Sequence, residues 1–223
     1  MLDVGSGPGF MAEKFVTKGV RTVSIDRQIR PEAKNSSWKC VETDIDQYDF
    51  TEDFGKVDCI MALDIMEHLK APERLLRVLR QRFSKDAPKV IITTGNVAFF
   101  PVRISLLFNR FNYGKRGILD MDHTRLFTVS SLSRMLQMNG YEIVRKHGIP
   151  APFPLALGDG RLARFLLFIN RMLIFVSKSL FAYQIAIVAR PLPTLEHLLK
   201  DAHEAKKKKV GGSDFEEDKI KWK

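Results

Sequence analysis

Three glycines on alternate positions, Gly5, Gly7 and Gly9, follow the short apolar run Met1-Leu2-Asp3-Val4 at the head of this chain. Glycines at that spacing let a backbone turn sharply and come close to a ligand. Met11-Ala12-Glu13-Lys14-Phe15-Val16 then carries a helix pattern. The free N–H groups at the start of such a helix point back into the turn. A strand, a glycine turn and a helix in that order belong to layered α/β architectures with a ligand loop at a strand end.

The rest of the chain to about residue 150 extends the alternation. Strands are expected at Met1–Val4, Thr22–Ile25, Trp38–Glu42, Val57–Leu63, Lys89–Thr93 and Tyr141–His147, with a further one at Gln184–Ala189. Val57–Leu63 and Lys89–Thr93 are near-continuous apolar runs, as strands covered on both faces require. Pro72 opens a helix carrying Leu75, Leu76, Val78 and Leu79, and Thr128 caps another that Gly140 stops. The predicted fold is α/β, a doubly wound, mostly parallel seven-stranded sheet with a helical insertion before the last strand. The expected domain spans residues 1–199, and 200–223 is expected to be a charged tail without stable structure.

Four acids fall at or near strand ends: Asp3, Asp26, Asp44 and Asp64. One such acid is commonplace as a helix cap, but four along one sheet edge are hard to explain that way. Asp26 lies about twenty residues past the glycine turn, where a carboxylate can accept both hydroxyls of a ribose. Asp44 stands where it could accept from the amino group of an adenine. The spacing Gly5-x-Gly7-x-Gly9, with Pro8 in the turn, departs from the dinucleotide fingerprint and argues against a nicotinamide enzyme.

Met1–Gly9, Ser24-Ile25-Asp26, Glu42-Thr43-Asp44 and Leu63-Asp64-Ile65-Met66-Glu67-His68 together resemble the successive motifs of class I S-adenosylmethionine-dependent methyltransferases. The later Gly95-Asn96-Val97, Gly117-Ile118-Leu119-Asp120 and His123-Thr124-Arg125-Leu126-Phe127-Thr128 are similar to the MetW/UbiG-like branch. The resemblance implies S-adenosyl-L-methionine as cofactor. It implies cofactor contacts from Asp3, Gly5, Ser6, Gly7, Gly9, Asp26, Arg27, Asp44, Ile45, Leu63 and Asp64. Members normally carry helices ahead of the first strand, so the expectation is a cofactor site open on the side such helices would close.

A sulfonium makes its methyl group ready to leave, so the protein mainly has to align the reactants. A base is needed only where the nucleophile must lose a proton. His68 and His123 are the catalytic candidates, because imidazole titrates near neutrality. Each could equally be a structural residue holding a backbone carbonyl. Arg125 and Tyr113 are the substrate-binding candidates; Arg125 could clamp an anionic group or pair inside the fold. No Cys or His spacing points to a metal. The acceptor is expected to be a small, apolar or lipid- or glycan-pathway molecule methylated at oxygen. The alternative is a non-catalytic, shortened module that associates with a membrane surface or a partner.

Net charge is +10, part of it in Lys206–Lys209. No Asn/Asp-Pro-Pro-aromatic signature follows Val57–Leu63, and no basic-aromatic motif stands out, so a nucleic-acid substrate is disfavoured. Two cysteines, Cys40 and Cys59, imply no disulfide framework and point to a reducing, cytoplasmic setting. The stretch Arg161–Leu180 is very apolar with Arg161, Arg164, Arg171 and Lys178 along a narrow stripe, and Asn170-Arg171 breaks it too early for a membrane span. It reads as a lid or packed helix, as a helix lying on a membrane surface, or as a dimer contact.

Overall fold

The computed structural model describes residues 1–29, 38–199 and 202–203. Seven strands form one sheet: β1 (Leu2–Val4), β2 (Val23–Asp26), β3 (Lys39–Glu42), β4 (Cys59–Leu63), β5 (Lys89–Gly95), β6 (Tyr141–Ile149) and β7 (Gln184–Pro191). Their order is β3-β2-β1-β4-β5-β7-β6. Neighbours from β3 to β5 run parallel, and β7 is antiparallel to both β5 and β6. Every expected strand forms. Strand β2 runs one residue further than expected, so Asp26 is its last residue and its register partner is Glu42 of β3.

Helices α1 (Phe10–Val16), α2 (Pro72–Phe83) and α4 (Val129–Met138) pack on the sheet, while α3 (Phe100–Leu107) follows β5. Between β6 and β7 lies the expected insertion: α5 (Phe153–Leu157), α6 (Arg161–Val176) and α7 (Lys178–Phe181). Helix α2 starts with Pro at its first position and buries Leu75, Leu76, Leu79 and Phe83 at helical spacing. Each buried side chain of that size is worth roughly 1.5–3 kcal/mol. Thr128 and Ser131 form a reciprocal cap at the start of α4, and Gly140 ends it at φ 79°. Tyr141, fully buried, donates its hydroxyl to the Leu76 carbonyl at 2.8 Å and ties β6 to α2.

The single helix expected over Arg161–Leu180 is instead two, α6 and α7, broken at Ser177. The cause lies far away in sequence. Buried Asn96, at the end of β5, donates from Nδ2 to the carbonyls of Ser179 (3.0 Å) and Ala182 (2.8 Å), pulling that turn onto the sheet. Asn170, expected only to interrupt an apolar run, is a buried clip: its Oδ1 accepts from Ala151 N–H and its Nδ2 donates to the Phe181 carbonyl, both at 2.9 Å. No described helix is long and apolar enough to cross a membrane. Lys206–Lys209 and the expected tail lie outside the described residues, apart from 202–203.

Strand order reverses between β1 and β4, whose crossovers leave in opposite directions. In open α/β sheets that reversal opens a crevice at the carboxyl ends of the strands. The glycine turn leaves β1 at that edge.

Candidate functional site

The glycine turn is held against the next strand by its backbone. Gly5 and Ser6 N–H both donate to the Ile25 carbonyl, at 2.8 and 3.3 Å. Gly7 N–H donates to Asp26 Oδ2 at 2.7 Å. Asp26 Oδ1 accepts from Gln28 N–H at 3.1 Å, so its carboxylate is fixed while retaining lone pairs for a ligand. Gly5 has φ +77°, and a Cβ there would sit 2.7 Å from Ile65. Only glycine fits between the turn and the segment that follows β4.

A cavity of about 200 Å³ opens beside this turn, lined by Asp26, Arg27, Asp44, Ile45, Asp46, Ile65, His68 and Leu69. Its acids ring apolar walls from Ile45, Ile65 and Leu69, which is the chemistry of a pocket for an adenosine. Asp44 bonds Arg27 at 3.0 Å, and that contact holds its carboxyl below the ordinary range. Asp46 accepts from Lys70 N–H at 3.1 Å, which joins the β3 end to the segment leading into α2.

Asp3 lies under the turn, not in it. It is 2% exposed, and burial, followed by the charge of Asp26, pushes its pKa up to about 6. Its Oδ2 has no hydrogen-bond partner among the described residues. Asp3, expected from the sequence to contact the cofactor, is not among the residues that line the cavity.

A second cavity, about 280 Å³, adjoins the first at His68. Asp64, Glu67, Gly95, Arg116, Gly117, Ile118, Asp120, His123, Tyr183 and Gln184 line the rest of it. Asp64, at φ 51°, accepts from Thr93 Oγ1 at 2.8 Å and from Gln184 Nε2 at 2.9 Å. The last strand thus reaches back to the β4 end. The rings of His68 and His123 meet edge-on, with centroids 4.8 Å apart. His68 Nδ1 is 3.2 Å from the Asp122 carbonyl and His123 Nδ1 is 3.0 Å from the Ile118 carbonyl. A carbonyl only accepts, so each ring carries a proton on Nδ1, and in the neutral form Nε2 is left as the acceptor. The two readings of these histidines are compatible, since the carbonyl contact sets the tautomer that basic catalysis needs.

Residues 1–146 match the model of a family described as a methyltransferase domain. The chain belongs to that family. The fold agrees: an Archaeoglobus fulgidus SAM-dependent methyltransferase superposes with a TM-score of 0.55 at 21% identity, over 85% of this chain and 84% of that one. A Mesorhizobium loti S-adenosylmethionine-dependent methyltransferase gives 0.55 at 13% identity, over 85% and 89%. The Burkholderia thailandensis 1,6-didemethyltoxoflavin-N1-methyltransferase, solved with 1,6-didemethyltoxoflavin and S-adenosylhomocysteine, gives 0.55 at 14%, over 86% and 70%. No curated protein matches the chain in sequence.

In this methyltransferase-domain chain the two substrate candidates lie elsewhere. Arg125 pairs with Glu73 and lines a separate cavity of about 310 Å³ against α4. It is held there because Thr124 and Arg125 N–H groups both donate to the Glu67 carbonyl, which turns the Arg125 side chain toward α2. Tyr113 is exposed, stacks edge-on with Phe111 and lines none of the three cavities. Leu63 is half-buried within β4, paired with Thr93 of β5.

Sequence reasoning passed over Glu67, Arg116, Tyr183 and Gln184. Glu67 is 3% exposed, takes Gly95 N–H at 3.3 Å, and has its pKa raised by burial. A signal for it existed: the charged pair Glu67-His68 directly after a strand-end acid. Tyr183 and Gln184 carried none, because only the antiparallel β7 brings them to this edge. Among the described residues no group of three or more His, Cys, Asp or Glu is arranged to hold a metal.

Proposed function

We propose that this chain is an S-adenosyl-L-methionine-dependent methyltransferase that methylates a hydroxyl on a small, largely apolar acceptor. One observation carries the reading: Gly7 N–H donates to Asp26 Oδ2 at 2.7 Å and Asp26 lines the first cavity, so the glycine turn is tied to that cavity's wall. The residues fit the cofactor. Asp26 offers its remaining lone pairs to ribose hydroxyls, and Ile45, Ile65 and Leu69 offer an apolar slot for a flat base with Asp44 at its edge. The buried carboxylate of Asp3 adds negative charge near that of Asp26, which suits a cationic cofactor. When bound, S-adenosylmethionine supplies an electrophilic methyl group on a sulfonium.

The residues of the second cavity do the rest. His68 lines both cavities, so it stands at their junction. Nε2 of His68 or His123 would take the proton of the acceptor hydroxyl as its oxygen bonds the methyl carbon and the carbon–sulfur bond of the sulfonium breaks, leaving a neutral thioether. The Asp122 and Ile118 carbonyls keep each ring in the tautomer that can do so. Gln184 and Thr93 lock the Asp64 carboxylate at the mouth of the same cavity.

Transfer of labelled methyl from S-adenosylmethionine into hydroxyl-bearing compounds of a cell lipid extract tests this. His123→Ala is expected to leave cofactor affinity intact, His68→Ala to weaken it because that ring lines both cavities, and the catalytic one of the pair lowers kcat by about 10²–10⁴-fold. Full activity in both single variants and in the double variant removes the histidines from the chemistry. No labelled product from any extract, with cofactor bound, overturns the enzymatic reading.

A further inference from the structure

Helix α6 is built the wrong way round for a helix that merely packs on its domain. It buries the narrow side bearing Ala163, Asn170 and Ile174, and turns its aromatic side outward. Phe165 and Phe168 are each 59% exposed and Phe175 is 88% exposed. A surface helix of a soluble domain normally does the reverse. Leu155 of α5 is 89% exposed, and α3 buries no residue at all, leaving Leu107 and Phe108 at its end largely in the open. The two segments make one surface, since the Phe100 and Phe181 rings approach to 6.0 Å. A patch this size marks an interaction site.

Its charge selects the occupant. Residues 97–119 contain Arg103, Arg110, Lys115 and Arg116 and no acid. Residues 150–183 contain Arg161, Arg164, Arg171 and Lys178 against Asp159 alone, which Arg164 already pairs. Arg164 and Arg171, seven residues apart in α6, fall on one line beside its exposed aromatic face, and Lys178, also exposed, opens α7 beyond the break at Ser177. An apolar face with a flanking cationic line and no spanning helix is the pattern of a segment lying in the interface of an anionic bilayer.

We propose that α3 and the α5–α7 insertion dock this protein on an anionic lipid surface, so that its acceptor is an amphiphile whose hydroxyl-bearing head enters the second cavity from the bilayer. The position supports this. Arg116 and Gly117, which close α3's segment, line that cavity, and Tyr183, just past α7, lines it too while touching Phe99 edge-on at 5.7 Å. The docking part stands on the surface alone. The acceptor part rests on the methyltransferase reading above.

Co-sedimentation of the full chain with vesicles tests it. Phosphatidylcholine vesicles containing phosphatidylglycerol are expected to bind the protein, and pure phosphatidylcholine vesicles to bind it at least about tenfold more weakly. High salt should reverse the binding. Phe165→Ser with Phe168→Ser, and separately Arg171→Glu with Lys178→Glu, should each lower partitioning by about tenfold or more. All four residues are exposed, so S-adenosylhomocysteine affinity should stay unchanged and report that the variants fold. Should a variant unfold, the lipid-charge and salt dependence of the unaltered protein decides. Absence of binding to anionic vesicles, equal binding to neutral ones, or variants that bind as before overturns the proposal. So does a lipid-free dimer that the phenylalanine variant splits. Vesicle binding without any binding of S-adenosylhomocysteine would keep the docking surface and sink the methyltransferase reading instead.

Discussion

The two cavities meet at His68 yet are held by different kinds of contact. The first cavity's side, proposed above for the cofactor, is built from connections between consecutive strand ends: Gly7 to Asp26, Arg27 to Asp44, and the Asp46 carboxylate to the Lys70 backbone. The second cavity's side is built from side chains that clip backbone far away in sequence. Asn96 holds Ser179 and Ala182, and Thr124 Oγ1 holds the carbonyls of Glu67 (3.1 Å) and Leu69 (2.8 Å). The first kind of site can be written as a motif. The second can change its occupant by altering an insertion while the cofactor edge stays put.

Breaking the long clips should therefore damage one side and spare the other. Asn96→Ala strands two buried carbonyls and the Ala98 N–H that Asn96 Oδ1 accepts, and is expected to cost about 2–4 kcal/mol in thermal or denaturant unfolding. S-adenosylhomocysteine affinity should change little under conditions where the variant is folded. A loss of affinity as large as the loss of stability would show that the two sides are one cooperative unit.

Asp3 probes the opposite side. Its folded pKa of about 6 lies above its ordinary 3.8, so the folded state binds the proton more tightly. The stability that this group contributes is complete below its unfolded pKa and is lost as pH rises through about 6. Asp3→Asn keeps the shape and removes the titration. It should flatten the stability-versus-pH curve between pH 4 and 6 and raise stability at pH 7 by roughly 2 kcal/mol. Cofactor affinity should fall at the same time, because the negative charge under the turn is gone. An unchanged pH profile would show that Asp3 is not the titrating group.

The smallest effect is expected from Arg125→Ala. The residue is about half exposed and its Glu73 pair lies against α4, away from both cavities at the sheet edge. An exposed pair of this kind is worth about 0–1 kcal/mol, and acceptor KM should not move. A raised KM would bring α4's cavity into the acceptor site and blur the division between the two sides.

The same division explains what could be read from the sequence. The inner strands β1, β2, β4 and β5 were legible because buried parallel strands are short apolar runs closed by glycine or acid. That Asp26, Asp44 and Ile45 share one cavity was legible because the strand ends follow one another at fixed spacings. The places of Arg125 and Tyr113, away from the two adjoining cavities, were not. Polar or aromatic character in a loop says nothing of direction, and for Arg125 direction is set by the Glu67 carbonyl gripping Thr124 and Arg125. Gln184 and Tyr183 gave no signal, because their place depends on an antiparallel return strand pairing with β5. Asn170 looked like a flaw in an apolar helix and is the residue that clips it to Ala151 and Phe181, in the segments that follow β6 and precede β7.

The central claim is that the glycine turn and Asp26 form a single adenosyl-binding pocket. Calorimetric titration of S-adenosylhomocysteine into the unaltered protein and into Asp26→Ala tests it most directly. One site per chain is expected, with affinity about 10–100-fold weaker in the variant, as losing a hydrogen-bonding carboxylate predicts. No heat of binding to the unaltered protein, or equal affinity in both, would contradict it.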